Sequence, residues 1–340
     1  MRLFKYFSII IIALSLMACE EKEPQLSIKT TASNNTAKLG DAVKLSINNP
    51  DGLNIQSVEY LLDGEVISKD LKLTDVKLGR QALTANVIVD GKTYKADGNL
   101  IVLNNKKPEL YTYDIVNTYP HDITSYTQGL EFYNGELYES TGQYGESKLR
   151  KLDYNTGEVL QNKLLSNAFF AEGLSVLNDN IYQLTWKENT GIIYNVNTFE
   201  KKGIFRYGES KEGWGLCNDG TNLYKSDGTE QIWTLTTDDF TEASKIEAYT
   251  HTGKIKSLNE LEWINGKIYA NIYQENGVVV INPKNGAVEK VIDFSPLKEL
   301  VTQHPELDVL NGIAYNPTTE TIFVTGKNWD KLFEVTIRKK

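Results

Sequence analysis

Apolar and polar positions alternate along much of this chain with a period of two, the mark of strands buried on one face. Residues 42–47, 58–62, 83–89 and 100–103 are such runs, and turn residues divide them: Asn49-Pro50-Asp51-Gly52, Asp63-Gly64 and Asp90-Gly91. Asp-Gly between two alternating runs is a strong hairpin signal, because both central residues of the favoured two-residue turn need a positive φ. About seven short strands over 25–105 predict an immunoglobulin-like β-sandwich, although the usual cysteine and tryptophan markers are absent. No candidate site falls there, and the stretch reads as a spacer or interaction module. Residues 104–108, with two Asn, two Lys and Pro108, are the expected linker.

Beyond the linker the strands lengthen, aromatic residues multiply and a repeat emerges. Five segments align: Thr127-Gln128-Gly129-Leu130, Ala171-Glu172-Gly173-Leu174, Gly213-Trp214-Gly215-Leu216, Asn259-Glu260-Leu261-Glu262 and Leu310-Asn311-Gly312-Ile313. Each precedes a second apolar-aromatic run, such as Gly135-Glu136-Leu137-Tyr138 or Asn180-Ile181-Tyr182. With Gly129, Gly173, Gly215, Leu261 and Gly312 as equivalents, the steps are 44, 42, 46 and 51 residues. Steps near this size with about four strands each are the signature of propeller blades. The last unit lacks a fourth strand, and the unassigned run 113–117 can supply it, which would leave no open edge. Residues 109–340 are therefore expected to form a five-bladed β-propeller, with 294–304 as a loop or short helix inserted before the fifth blade.

In a propeller the first strand of each blade lines the central channel. That places Gln128, Glu172, Trp214, Glu260 and Asn311 around one mouth, with Trp186, Tyr273 and Lys327, at the ends of second strands, further out on the same face. Polar groups gathered over an aromatic floor are the ordinary design of a small-molecule site.

A net charge of −9 argues against a nucleic-acid partner, which would be met by clustered Lys and Arg. The N-terminus has Arg2 and Lys5 ahead of an apolar run, 6–17, that is short for a membrane span. It ends in Leu16-Met17-Ala18-Cys19, which resembles the lipobox of bacterial lipoproteins. The resemblance implies a signal peptide over 1–18, lipidation at Cys19, a charged tether over 19–24 and a membrane-anchored place in the bacterial cell envelope. Cys217 is the one other cysteine, so an internal disulfide is not expected; its place in a strand of the repeat marks it as a small buried residue rather than a nucleophile. The three histidines, His121, His251 and His304, stand apart, without metal-ligand spacing.

The propeller half also resembles a known family. Tyr126-Thr127-Gln128-Gly129-Leu130, Phe170-Ala171-Glu172-Gly173-Leu174, Leu184-Thr185-Trp186, Gly213-Trp214-Gly215-Leu216, Asn259-Glu260-Leu261-Glu262, Ala270-Asn271-Ile272-Tyr273, Leu310-Asn311-Gly312-Ile313 and Thr325-Gly326-Lys327 together are similar to the plant-type glutaminyl-peptide cyclotransferases. The resemblance covers about 110–337. It implies conversion of the N-terminal glutamine of peptides or proteins to pyroglutamate with release of ammonia, no required cofactor or metal, and a five-bladed propeller. It assigns the essential carboxylate to Glu172, polarising partners to Asn259 and Lys327, and an aromatic pocket to Tyr126, Phe170, Trp186 and Trp214; Gln128, Tyr273 and Asn311 are expected beside them as substrate contacts from their place around the mouth. Tyr273 stands where the family pattern has Trp. A structural calcium ion is compatible with the sequence, which does not place one, and a monomer is expected.

The chemistry fits these residue types on its own terms. The substrate's α-amine attacks its own γ-carboxamide, so holding one folded conformer is most of the task. One carboxyl can take the proton from the attacking nitrogen and deliver it to the leaving one. A non-catalytic, envelope-anchored propeller that binds a peptide or sugar is the chief alternative; a calcium-dependent lactonase-type propeller is the second.

Overall fold

A computed structural model describes residues 23–340; the signal-like segment and Cys19 lie outside the described residues. The described chain is all-β apart from two short 3-10 turns, Ser33–Asn35 and Ser295–Glu299.

The N-terminal part forms an eight-stranded sheet, seven strands in one hydrogen-bonded path and Thr36–Lys38 beside it, paired with Lys92–Leu103. Its long central pair, Gly79–Val89 and Lys92–Leu103, is a hairpin whose turn is Asp90-Gly91, with Val89 opposite Lys92. Asp63-Gly64 likewise joins Ile55–Leu62 to Glu65–Ile67. All four turn residues have positive φ, as the favoured hairpin turn requires. The inward faces of these strands share one core, including Leu45, Leu83, Val87, Leu100 and Val102. Tyr249 and Ala287, from the C-terminal part, pack into that same core. Backbone bonds from Leu78 to Asn285 and from Asn104 to Thr250 add to the join.

After this come three separate four-stranded antiparallel sheets and one eight-stranded path. The first strands of the three are Thr127–Tyr133, Ala171–Leu177 and Leu216–Asn218. The eight-stranded path divides into a fourth group opening on Leu258–Ile264 and a fifth opening on Leu310–Asn316. Each opening strand packs against the next, and Leu310–Asn316 packs back against Thr127–Tyr133, so the five run in a closed cycle.

The early strand Glu109–Pro120 completes the fifth group by pairing with Lys331–Lys339, as the sequence leads one to expect of 113–117. Its first residues also pair in parallel with the outermost strand of the fourth group, Lys290 opposite Glu109, which the sequence pattern does not foretell. One strand thereby ties two groups together and covers both edges. The insertion at 294–304 contains the 3-10 turn Ser295–Glu299, anchored by buried Leu297.

Close packing of the opening strands accounts for the repeated glycine. A Cβ on Gly215 would lie 2.0 Å from the Asn259 carbonyl oxygen, and one on Gly173 would lie 2.6 Å from the Leu216 nitrogen. At Gly129, Gly173 and Gly215 the neighbouring backbones thus touch across the seam, and only hydrogen fits between them.

The fourth group departs from that rule. Its bulge falls between Leu258 and Leu261, as that of the second falls between Ala171 and Leu174. Asn259 therefore matches Glu172, and Glu260 takes the glycine place. This corrects the alignment on Leu261 by one residue, and with it the expectation that Glu260 faces the mouth. Its carboxylate is instead buried between groups, accepting from Ile313 N at 3.0 Å and Leu130 N at 3.3 Å.

Candidate active site

The bulged ends of the opening strands and the first residues after the second strands meet at one end of the ring. There they enclose a cavity of about 190 Å³ lined by Tyr126, Gln128, Gln143, Phe170, Glu172, Trp186, Trp214, Asn259, Tyr273 and Lys327. Nine of these are expected from the sequence. The tenth expected residue, Asn311, lies just beneath, fully buried, with its Nδ2 donating to Thr127 O at 2.9 Å and to Gln128 Oε1 at 3.2 Å. Trp186, Tyr273 and Lys327 line the same cavity.

Glu172 forms the floor. Its Oε1 accepts from Gln128 Nε2 at 3.1 Å, and its Oε2 is buried without a hydrogen-bond partner among the described residues. Asn311 in turn holds the Gln128 amide oxygen, so this chain of amides fixes which way Gln128 presents its N–H. Burial drives the Glu172 carboxyl well above the usual carboxylate range; Lys327 pulls it down, while the Glu212 and Glu188 carboxylates push it further up. The Asn259 Oδ1 is likewise buried and unpartnered, so its amide keeps hydrogen-bonding capacity for a ligand.

Around this floor runs a closed belt. Tyr126 meets Phe170 edge-on with ring centres 6.2 Å apart, and Phe170 meets Trp186 at 5.6 Å. Trp186 and Trp214 both donate their indole N–H to Glu212 Oε2, at 2.8 and 2.9 Å. Trp214 meets Tyr273 at 5.6 Å, and the Lys327 ammonium sits 5.2 Å from the Tyr273 ring centre and 4.6 Å from that of Tyr126. Along this belt one anion and one cation link the aromatic walls. The ring at 273 keeps both contacts although Tyr stands where Trp is expected. Burial lowers the Lys327 ammonium, while Glu172 and Asp308 act to keep it charged. Asp308 also accepts from the Tyr126 hydroxyl at 2.9 Å, fixing that ring.

Sequence reasoning missed Gln143, Glu212 and Asp308. Gln143 follows a second strand by two residues and reaches the cavity with a left-handed φ of 90°, which no periodicity signals. Glu212 stands just ahead of the Gly213-Trp214-Gly215 motif, the one local hint available. Trp329, by contrast, is fully buried packing that donates to the Asp308 carbonyl oxygen at 3.1 Å. Cys217 is buried, and burial pushes its thiol up, the reverse of an activated nucleophile. Among the described residues no group of three or more His, Cys, Asp or Glu is arranged to hold a metal ion.

A ring of β-sheets whose mouth holds one buried carboxylate, an amide and an ammonium inside aromatic walls has the design of a small-molecule site. The sequence model of the glutamine cyclotransferase family matches residues 84–337, a span that starts within the N-terminal strand Gly79–Val89. A glutaminyl-peptide cyclotransferase from Arabidopsis thaliana is 35% identical over 248 residues, 72% of this chain and 76% of that one. The crystal structure of Myxococcus xanthus glutaminyl cyclase superposes with a TM-score of 0.64 at 36% identity, covering 69% of this chain and all of that one. The chain belongs to the glutamine cyclotransferase family, and its enzyme class is acyl transfer.

Proposed function

We propose that this chain converts the N-terminal glutamine of peptides or proteins to pyroglutamate, with Glu172 carrying the proton. The observation that carries this reading is the divided Glu172 carboxylate: one oxygen is held by Gln128 and the other is buried without a partner among the described residues.

In the reaction the substrate's α-nitrogen forms a bond to the γ-carboxamide carbon, and the bond from that carbon to the amide nitrogen breaks, releasing ammonia. Nucleophile and electrophile belong to one side chain, so the aromatic belt has to hold a folded conformer, and orientation of this kind supplies about 7–11 kcal/mol in favourable cases. The free Glu172 oxygen takes the proton from the attacking nitrogen once its lone pair is committed. It returns that proton to the leaving nitrogen, which departs as neutral ammonia. A carboxyl with a raised pKa suits both halves, since it neither holds nor releases the proton too firmly. Charge on the tetrahedral oxygen falls to the Asn259 amide and the Lys327 ammonium, donors set in the cavity wall.

The reading extends to the whole chain: a five-bladed propeller carrying the site, an immunoglobulin-like domain before it, and a lipid anchor at Cys19 that holds both at the bacterial envelope, with the protein monomeric and no cofactor required. The closed cycle of five opening strands and the lipobox-like segment support these parts.

The deciding measurement is ammonia release from a Gln-initiated peptide by the fragment lacking residues 1–18. Activity without added metal is expected, with a loss of at least about 100-fold for Glu172→Gln. Full activity in that variant would end the assigned role of Glu172. No ammonia from any Gln-initiated peptide would favour a peptide-binding propeller.

A further inference from the structure

Glu212 does not line the cavity, yet it joins two walls that come from different sheets. Trp186 follows the second strand of one four-stranded sheet, and Trp214 precedes the opening strand of the next. Each indole carries a single N–H and no acceptor, so a tryptophan in a half-buried wall needs an outside partner. Both find it in the same oxygen, Glu212 Oε2. A carboxylate accepts two such bonds readily, and each is charge-assisted.

The backbone that bears Glu212 is itself pinned. Residues 206–215 contain no strand, so their position depends on side-chain and isolated backbone bonds. Lys225, fully buried, donates to the Glu212 carbonyl oxygen at 3.0 Å and pairs with Glu242 at 3.5 Å. Its ammonium also lies 4.6 Å from the Tyr207 ring centre. One residue on, Gly213 N donates to the Trp186 carbonyl oxygen at 3.0 Å. A Lys225–Glu242 pair thus fixes a loop, and the loop's carboxylate fixes two aromatic walls.

We infer that Glu212 is a positioning residue of the cyclisation: by tying Trp186 to Trp214 across the seam between two sheets it closes the aromatic belt and holds the substrate's glutamine in its folded conformer. This rests on the cyclotransferase reading above. The same charge also acts on Glu172, whose carboxyl Glu212 helps to raise. Glu188 acts on Glu172 in the same sense but accepts from the Tyr144 hydroxyl and not from an indole, so the two effects are separable.

The test compares E212A, E212Q and E188Q, using the indole N–H resonances of the five tryptophans, the separate kcat and KM for a Gln-initiated peptide, and the pH profile. In E212A the Trp186 and Trp214 resonances are expected to shift while the other three stay, and KM to rise about tenfold, the scale of a lost charge-assisted hydrogen bond. E212Q keeps an acceptor but loses the charge, so KM stays near wild type while the limb of the profile that belongs to Glu172 moves to lower pH. E188Q moves that limb in the same direction and leaves both indole resonances in place. Unchanged Trp186 and Trp214 resonances in E212A, or an unchanged KM alongside shifted ones, overturns the inference. If E212A does not fold, the resonances of E212Q decide: Trp186 and Trp214 shifted while the other three stay supports the inference, and all five unchanged overturns it. Should the wild type release no ammonia, the cyclotransferase reading fails, and the resonances still report whether Glu212 ties the two walls.

Discussion

Gln128 donates its side-chain N–H to one oxygen of Glu172 at 3.1 Å, and the other oxygen of that carboxylate has no partner among the described residues. The asymmetry sets the two oxygens apart: one is fixed in place, and the other is buried with its hydrogen-bonding capacity unused. An unpaired buried acceptor costs on the order of 1–3 kcal/mol of stability. The fold tolerates that cost at the place where a substrate nitrogen would relieve it.

The pH profile should carry two protons on its acid side. The proton carrier must begin ionised, and burial raises the Glu172 pKa above its ordinary 4.5, so activity is lost as pH falls through that raised value. The substrate amine must begin neutral, with a pKa near about 8. The logarithm of kcat/KM should therefore approach a slope of two at low pH. A substrate with a less basic amine should move one limb and leave the other in place. A slope of one throughout would mean that Glu172 does not titrate in the reaction.

Replacing Lys327 with Met keeps a long side chain against the Tyr126 and Tyr273 rings but removes the ammonium. With a developing oxyanion as its target, kcat should fall by about 10²–10³ while KM changes much less. An equal loss through KM alone would make Lys327 a ground-state binding group.

Stability should respond to the buried carboxylates between the sheets. Glu262 accepts from Tyr315 N at 2.7 Å, and burial, then the Glu131 charge, raises it well above the usual range. A pKa raised by folding contributes stability below the unfolded value and loses it as pH rises through the folded one. Glu262→Gln keeps an acceptor for Tyr315 and cannot ionise. The variant should be more stable than wild type at pH 8, and the gain should vanish near pH 4, as read by denaturant unfolding. A constant difference across that range would rule out the titration as its source.

Gly215→Ala should destabilise the ring by about 1–3 kcal/mol or more, because its new methyl would meet the Asn259 carbonyl oxygen at 2.0 Å. The displaced strand carries Asn259, so activity should fall along with the melting temperature. Gly253→Ala, where a Cβ meets nothing within 4 Å, is the matched control.

Much of the cavity was legible in the chain because the repeat places equivalent residues at one end of every sheet. Gln128, Glu172 and Trp214 each stand immediately before a Gly-Leu pair, and Trp186, Tyr273 and Lys327 each stand immediately after a second strand. The slip came at Glu260. Its segment has no glycine, and only the hydrogen-bond register distinguishes the bulged residue from its neighbour.

Alternation and repeat spacing by themselves determined the strands, the hairpin turns at Asp63-Gly64 and Asp90-Gly91, and the gathering of Gln128, Glu172, Trp186, Trp214, Tyr273 and Lys327 at one mouth, while Tyr126, Phe170 and Asn259 were marked by the family resemblance. These are local matters of backbone preference and side-chain face, written in adjacent residues. Tertiary structure alone decided that Glu260 turns into a seam while Asn259 turns to the cavity. It also brought Glu212 to two indoles from different sheets, and joined Glu109–Pro120 to two groups at once. Those outcomes depend on how closely separate sheets approach and which buried donors need an acceptor, and no stretch of sequence specifies either until the ring has closed.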